Sequence, residues 1–408
     1  MSPKSKVDPR LMGLGLLTGA VVGVWAGRRA QEWTASQPTG EGMIDWDRAR
    51  SVAIAMNRDA ALTIGERTRL DREYYDLVQR TIPLVSAHSG VSLPRPLDEI
   101  YAFDRVDWIN ANIEAFKRMF EPLEQLDIFG NPNAPRAANV LWSGLNRTVV
   151  SAELGLLLGY LARRVLGQYD LALLGREPIE SSGKLYFVQP NIRNTERMLG
   201  IPSDQFRLWL ALHETTHAFE FEAYPWVREH MNAMIQEYFT FLTEDIEYLK
   251  RGMSGLKAFW DRARHSNSAD GAAWIELVMT PDQRRLFGRM QATMAVVEGY
   301  SNYIMNAVGR DLMPDYTQIA RRFEQRQRQK SPAEQLFIRL TGLDMKMEQY
   351  RLGEAFINEV VRLRGDRFAH RVWDGPEMLP TMAELRQPVD WIARIESGNQ
   401  LEAGAVSA

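Results

Sequence analysis

Cysteine is absent from the 408-residue chain, and that absence removes several kinds of chemistry at once. No disulfide scaffold, thiol nucleophile, iron–sulfur cluster or zinc knuckle can be built without a sulfhydryl. Any bound metal must rest on the six histidines and the carboxylates. An excess of charge of either sign is missing too: 49 Lys and Arg stand against 52 Asp and Glu, for a net charge of −3. A nucleic-acid binder would carry a clear basic surplus, so no nucleic-acid partner is expected. The one basic run, Arg321 to Lys330, is interrupted by Glu324 and lies in no basic domain, so it reads as a solvated helix face or loop. What remains is ordinary globular composition, 45% hydrophobic and 25% charged, which excludes wholesale disorder and a polytopic membrane protein. The length suits one large or two ordinary domains.

Long uncharged runs are scarce, and the one that stands out is near the N-terminus. Leu11 to Gly27 carries no charge, with Lys4, Lys6 and Arg10 before it and Arg28 and Arg29 after it. As a helix it would reach about 25 Å, the short end for crossing the hydrocarbon layer. Gly15, Gly19, Gly23 and Gly27 fall at every fourth position. Such a row admits a second helix in lipid and weakens a helix in water. Three readings follow: a membrane anchor, a signal peptide with Val24-Trp25-Ala26 as its small-residue cleavage site, or a glycine-rich leader. Basic residues on both flanks leave the orientation open. Gln31 to Gly42 is a polar linker with Pro38 and Gly40. Residues 1–42 thus form a leader and 43–408 the folded body, cytoplasmic or tethered to a membrane through residues 11–27.

The body reads as mainly α with a small β element. Apolar periodicity predicts helices over Trp46–Asn57, Ile64–Arg80, Trp108–Leu123, Leu141–Leu166, Asp204–Ala223, Trp226–Lys250, Leu286–Val308 and Pro332–Arg364. Lys184 to Gln189 differs: it is short, aromatic and β-branched, and Pro190 ends it. It is expected to be an edge strand, able to pair with an extended peptide.

One segment carries chemistry. His213-Glu214-Thr215-Thr216-His217 lies in a helical run for which Ser203 is a candidate cap. At 3.6 residues per turn the two histidines are only about 40° apart on the wheel, one turn from each other, the arrangement a tetrahedral zinc needs from two nitrogens. They share a stripe with Phe206, Trp209, Leu210 and Phe221, so they are expected to face the interior. Glu214 projects about 100° round from His213, too far to be a third ligand in a regular helix. It is placed instead to act as the base for a water on the ion.

No histidine stands where a third one would be needed; Ala223 occupies the metzincin position. The third ligand should be a carboxylate, Glu298 or Glu237. Glu237 follows His217 by twenty positions, a spacing that resembles thermolysin-type enzymes. On its helix, though, it sits about 120° from the stripe formed by Val227, Met231, Ile235, Tyr238 and Leu242. Glu298 borders an apolar face near Met305, and Gly299 beside it would admit another backbone. Wheel geometry favours Glu298, with Asn302 one turn on as a partner for a ligating group. Tyr300 and Tyr350 are candidate donors to a developing oxyanion, with Lys346 one turn from Tyr350; each also reads as an ordinary packed or surface side chain.

Together these residues resemble the bacterial zincin-like metallopeptidase type 2 family, whose members carry labels such as hydrolase or deazaflavin-coenzyme biosynthesis-associated protein. The resemblance runs through Ile44-Asp45-Trp46-Asp47, Trp108-Ile109-Asn110-Ala111-Asn112, Leu158-Gly159-Tyr160-Leu161 and Val165-Leu166-Gly167-Gln168-Tyr169-Asp170-Leu171. It continues through Phe187-Val188-Gln189-Pro190-Asn191, Leu212 to His217, Pro225-Trp226, Glu298-Gly299-Tyr300, Leu343-Asp344-Met345-Lys346, Gln349-Tyr350-Arg351-Leu352-Gly353 and Leu379-Pro380-Thr381. It implies a zincin-like helical fold with the metal motif on a central helix, and it supports Glu298 as a ligand through the glutamate–glycine pair. The family often has an acidic residue where this chain has Asn302 or Asn306.

The expected function is a zinc-dependent hydrolase, a metallopeptidase in which Glu214 activates a zinc-bound water and His213, His217 and Glu298 hold Zn2+. Its partner would be a peptide or protein substrate. The alternative is a non-catalytic, metal-stabilised binding or scaffolding protein, tethered to the membrane or free.

Overall fold

The computed structural model describes residues 44–58, 61–124, 136–170, 183–250, 280–328 and 346–406. The apolar segment 11–27 lies outside them, and among the described residues no helix is long and apolar enough to cross a membrane.

Helix starts follow side chains that satisfy the first free amides. Asp45 accepts from the Arg48 N–H at 3.0 Å and opens α1 (Trp46–Ala55). Thr63 and Glu66 form a reciprocal capping box at the head of α2 (Ile64–Ser89). α2 runs past Arg80, where it was expected to stop, and carries Pro83 inside it. Next come β1 (Ile100–Phe103), α3 (Arg105–Glu124), α4 (Arg136–Ala162), β2 (Gly167–Asp170) and β3 (Lys184–Val188). α5 (Gln189–Leu199) begins directly on Gln189-Pro190, so the proline that ends the strand also starts a helix. α6 (Ser203–Glu222) carries the histidine motif. Ser203 is its first helical residue and not its cap; its hydroxyl donates to Glu196 at 2.9 Å. α7 (Pro225–Lys250), α8 (Pro281–Leu312), α9 (Tyr316–Arg328) and α10 (Lys346–Arg364) follow, then the short α11 (Asp366–Ala369) and α12 (Met382–Arg386) and the final α13 (Pro388–Val406). The described part of the basic run, to Arg328, lies on α9, whose Arg322 donates to the carbonyls of Leu199 and Gly200 at the end of α5.

The sheet corrects one expectation. Its order is β1-β3-β2, with β1 parallel and β2 antiparallel to β3. β3 is therefore the central strand, and a peptide cannot add along Leu185–Val188. Its two neighbours, four residues each, are too short to show a period in the sequence. The outer edge of β1 is closed as well: Asp71 accepts from the Ala102 N–H at 2.6 Å and Arg67 donates to the Ala102 carbonyl at 3.1 Å. β2 is the edge that lies against α6.

Apolar side chains form two clusters. Residues of α2, α6, α8 and α10, with Leu185 and Phe187 of β3, make the larger one. Residues of α1, α3 and α4 with Val188 make the smaller. α6 is buried on nearly every side, Glu214, Thr215, Thr216 and Glu220 included. Its two threonines return their hydroxyls to the helix carbonyls of Ala211 and Leu212, and Thr215 also meets Thr81 of α2 at 2.7 Å. Polar atoms between the histidines are thereby satisfied without water.

α8 and α10 cross backbone on backbone. A Cβ on Gly353 would lie 1.7 Å from the Ala295 carbonyl oxygen, and one on Gly299 would lie 2.2 Å from the Gly353 carbonyl carbon. The close approach read from Gly299 is thus present, and it fixes the turn of α8 that carries Glu298. Gly353→Ala should destabilise the protein by about 3 kcal/mol in urea unfolding, the upper end of the usual cost of overpacking, because the methyl meets backbone on the facing helix. Gly288→Ala, in the same α8 but facing open space, should be neutral or stabilise by up to about 1 kcal/mol.

Candidate metal centre

Two helices build the site. α6 presents His213 and His217 one turn apart, with ring centroids 4.6 Å from each other and ring planes at 76°. α8 brings Glu298 to the same point: one ligand atom from each of the three lies within 4.8 Å of the others. His217 Nε2 and Glu298 Oε2 are 3.9 Å apart. The three groups expected from the sequence to act together are therefore brought together. Glu237 is not among them; it is 41% exposed and pairs with Arg289 at 3.2 Å on the surface.

Each imidazole is oriented by a neighbour. The His213 ring stacks on Trp209 at 5.9 Å, and its Nδ1 lies 3.1 Å from the Met305 sulfur. His217 Nδ1 donates to Glu220 Oε2 at 2.8 Å, which leaves Nε2 as the nitrogen turned toward Glu298. A carboxylate behind a ligating histidine fixes its tautomer and raises its basicity. This partner is Glu220, not Asn302. The signal was present, since Glu220 stands three positions after His217, the spacing at which helix neighbours meet.

Glu214 is 5% exposed and meets β2, where the Tyr169 backbone N–H donates to its carboxylate; it lies outside the trio but close enough for His217 and Glu298 to act on it electrostatically. Tyr300 is a core side chain, 2% exposed and edge-on to Trp373 at 5.2 Å. The side chains of Tyr350 and Lys346 lie outside the described residues.

Burying so many ionisable groups shifts their protonation. Burial pushes Glu214 up to about 7, against the attraction of His217. Glu220 is likewise raised by burial to about 7. Burial and the neighbouring His217 hold His213 well below its usual value. For His217 burial acts downward, but Glu220, Glu298 and Glu214 outweigh it and carry it up to about 10. These are the properties of the metal-free site, and they set a pH dependence. Glu214, Glu220 and His217 bind protons more tightly folded than unfolded, so their contribution to stability is lost as pH rises through about 7 and then about 10. His213, shifted the other way, opposes this only below its unfolded value of 6.5. Protein stripped with a chelator should accordingly show a melting temperature that falls from pH 6.5 to 10, whereas a rise over that interval contradicts the assignment.

A family model for zincin-like metallopeptidases matches residues 44–392. A crystal structure described as "a putative hydrolase with a novel fold" from Chloroflexus aurantiacus is 39% identical. It aligns over 86% of this chain and 99% of its own, with a TM-score of 0.64. No curated protein matches. The match over residues 44–392 spans the sheet and both helices of the site, and the chain belongs to the zincin-like metallopeptidase family.

Proposed function

We propose that the protein is a zinc-dependent hydrolase of peptide bonds, with His213, His217 and Glu298 as metal ligands and Glu214 as general base. The observation that carries this reading is the convergence of two imidazoles and one carboxylate within 4.8 Å, with the buried Glu214 carboxylate outside the trio and within electrostatic reach of His217 and Glu298. Two nitrogens and one carboxylate oxygen suit zinc, and three protein ligands leave a position for water or substrate. Bound there, zinc would supply Lewis acidity to a carbonyl or a water.

The remaining work falls to the chain itself. Glu214, raised to about 7 by burial, can take a proton from the attacking water near neutral pH and hand it to the leaving amine. Glu220 holds His217 with Nε2 forward. Trp209 and Met305 hold His213. β2 flanks Glu214, and its outward Tyr169 N–H is already taken by that carboxylate.

Purified protein should contain one zinc per chain by elemental analysis, lost in His213→Ala. Glu298→Ala should weaken zinc binding by at least about 100-fold, while Glu237→Ala, which removes only a surface ion pair, should leave it unchanged. Glu214→Gln should keep the metal and lower turnover on a peptide library by about 100- to 10,000-fold. Zinc without turnover in the unaltered protein would favour the binding or scaffolding reading, and turnover that survives Glu214→Gln would remove the proposed mechanism.

A further inference from the structure

β2 is held from several directions. Gln168 accepts from the Trp108 indole at 2.6 Å and donates to Asn112 at 3.0 Å. The Tyr169 hydroxyl donates to the buried Glu222 carboxylate. The turn that feeds the strand is pinned by Asn191, whose amide donates to the carbonyls of Ala162 at 2.8 Å and Val165 at 2.7 Å. Val188 N–H then donates to the Leu166 carbonyl at 2.8 Å. That bond fixes the alternation of the ladder: residues 167 and 169, opposite Phe187 and Leu185, direct their backbone groups away from β3.

The first of these two residues is a glycine, and its backbone does not require one. Gly167 is not among the glycines with positive φ, and it sits in register within the strand. What it lacks is space for a side chain. A Cβ there would lie 2.3 Å from Glu214 Oε1, 2.6 Å from Cδ and 2.7 Å from Cγ. The carboxylate of Glu214 occupies the place an alanine methyl would take. Two positions on, the Tyr169 N–H donates to the same carboxylate.

We propose that Gly167 is a positioning residue for Glu214: its missing side chain and the Tyr169 amide together form a seat that holds the carboxylate close to His217 and Glu298. The catalytic meaning of the seat rests on the hydrolase reading above; the seat itself does not. An added methyl cannot be absorbed by β2, which is anchored through Gln168, Tyr169 and the Asn191-pinned turn, so the flexible partner, Glu214, must move. A displacement of about 1 Å in a general base is enough to cost about 100-fold in rate. The metal ligands lie on other side chains and should be untouched.

The test is Gly167→Ala in the zinc-loaded, full-length protein, with 15N-tyrosine labelling to follow the Tyr169 amide. Zinc content should stay at the unaltered level, kcat should fall about 100-fold with KM changed less than about twofold, and the Tyr169 resonance should move as it does in Glu214→Ala. Turnover at the unaltered rate overturns the proposal, whether or not the resonance moves. Should the unaltered protein hydrolyse nothing, the hydrolase reading fails on its own account, and the resonance decides the seat: moved, it stands; unmoved, it falls. If Gly167→Ala does not fold, Gly167→Ala combined with Glu214→Ala must fold as Glu214→Ala does, because the methyl then has room. A double variant that still fails to fold overturns the proposal.

Discussion

Two imidazoles and three carboxylates, from His213, Glu214, His217, Glu220 and Glu298, meet where α6 and α8 pack together. Taking a charge out of water costs several kcal/mol even after relaxation, so such a group persists only where its members compensate one another. Here the compensation is visible pair by pair: Glu220 against His217, Glu298 against His217, the Tyr169 amide against Glu214. Carboxylates outnumber the imidazole that carries a proton, and a divalent cation is the partner that would balance the remainder. α6, which carries four of the five groups, is buried on nearly every side, and Glu220 keeps one carboxylate oxygen without a hydrogen-bond partner.

The scaffold turns this constraint into geometry. Thr81 and Thr215 lock α6 to α2. Gly299 and Gly353 let α8 and α10 cross at backbone contact, which fixes Glu298 opposite the histidines. β2 closes the remaining side at Glu214. Each contact joins elements far apart in sequence, so the site depends on the whole body and not on the motif helix alone.

Much of this was legible in the sequence because it repeats with the period of a helix. His213 and His217 at one-turn spacing, and the glutamate–glycine pair at 298–299, belong to patterns that survive without knowledge of the fold. Wheel geometry put Glu237 away from the apolar stripe of its helix, and the residue pairs there with Arg289 on a solvent face. Glu220 went unnoticed although its i,i+3 spacing to His217 announced it. The sheet was harder to read. Four-residue strands carry no period, and nothing local to Lys184–Val188 reveals that it has neighbours on both sides. Gly167 was equally silent, because a glycine kept for another residue's side chain looks the same in sequence as one kept for a turn. Blocks such as Trp108 to Asn112 and Gln189 to Asn191 turn out to hold β2 and its turn in place. Their role is architectural and could not be inferred from residue type.

The proposed site depends on one divalent ion shared by α6 and α8. Anomalous diffraction measured on either side of the zinc absorption edge, from crystals grown with zinc, tests that claim most directly. The predicted result is one strong peak bounded by the imidazoles of His213 and His217 and the carboxylate of Glu298, with Glu214 beside it and not bound. A peak at Glu237 or elsewhere, or no peak while the His213 and His217 rings turn to other partners, would contradict it.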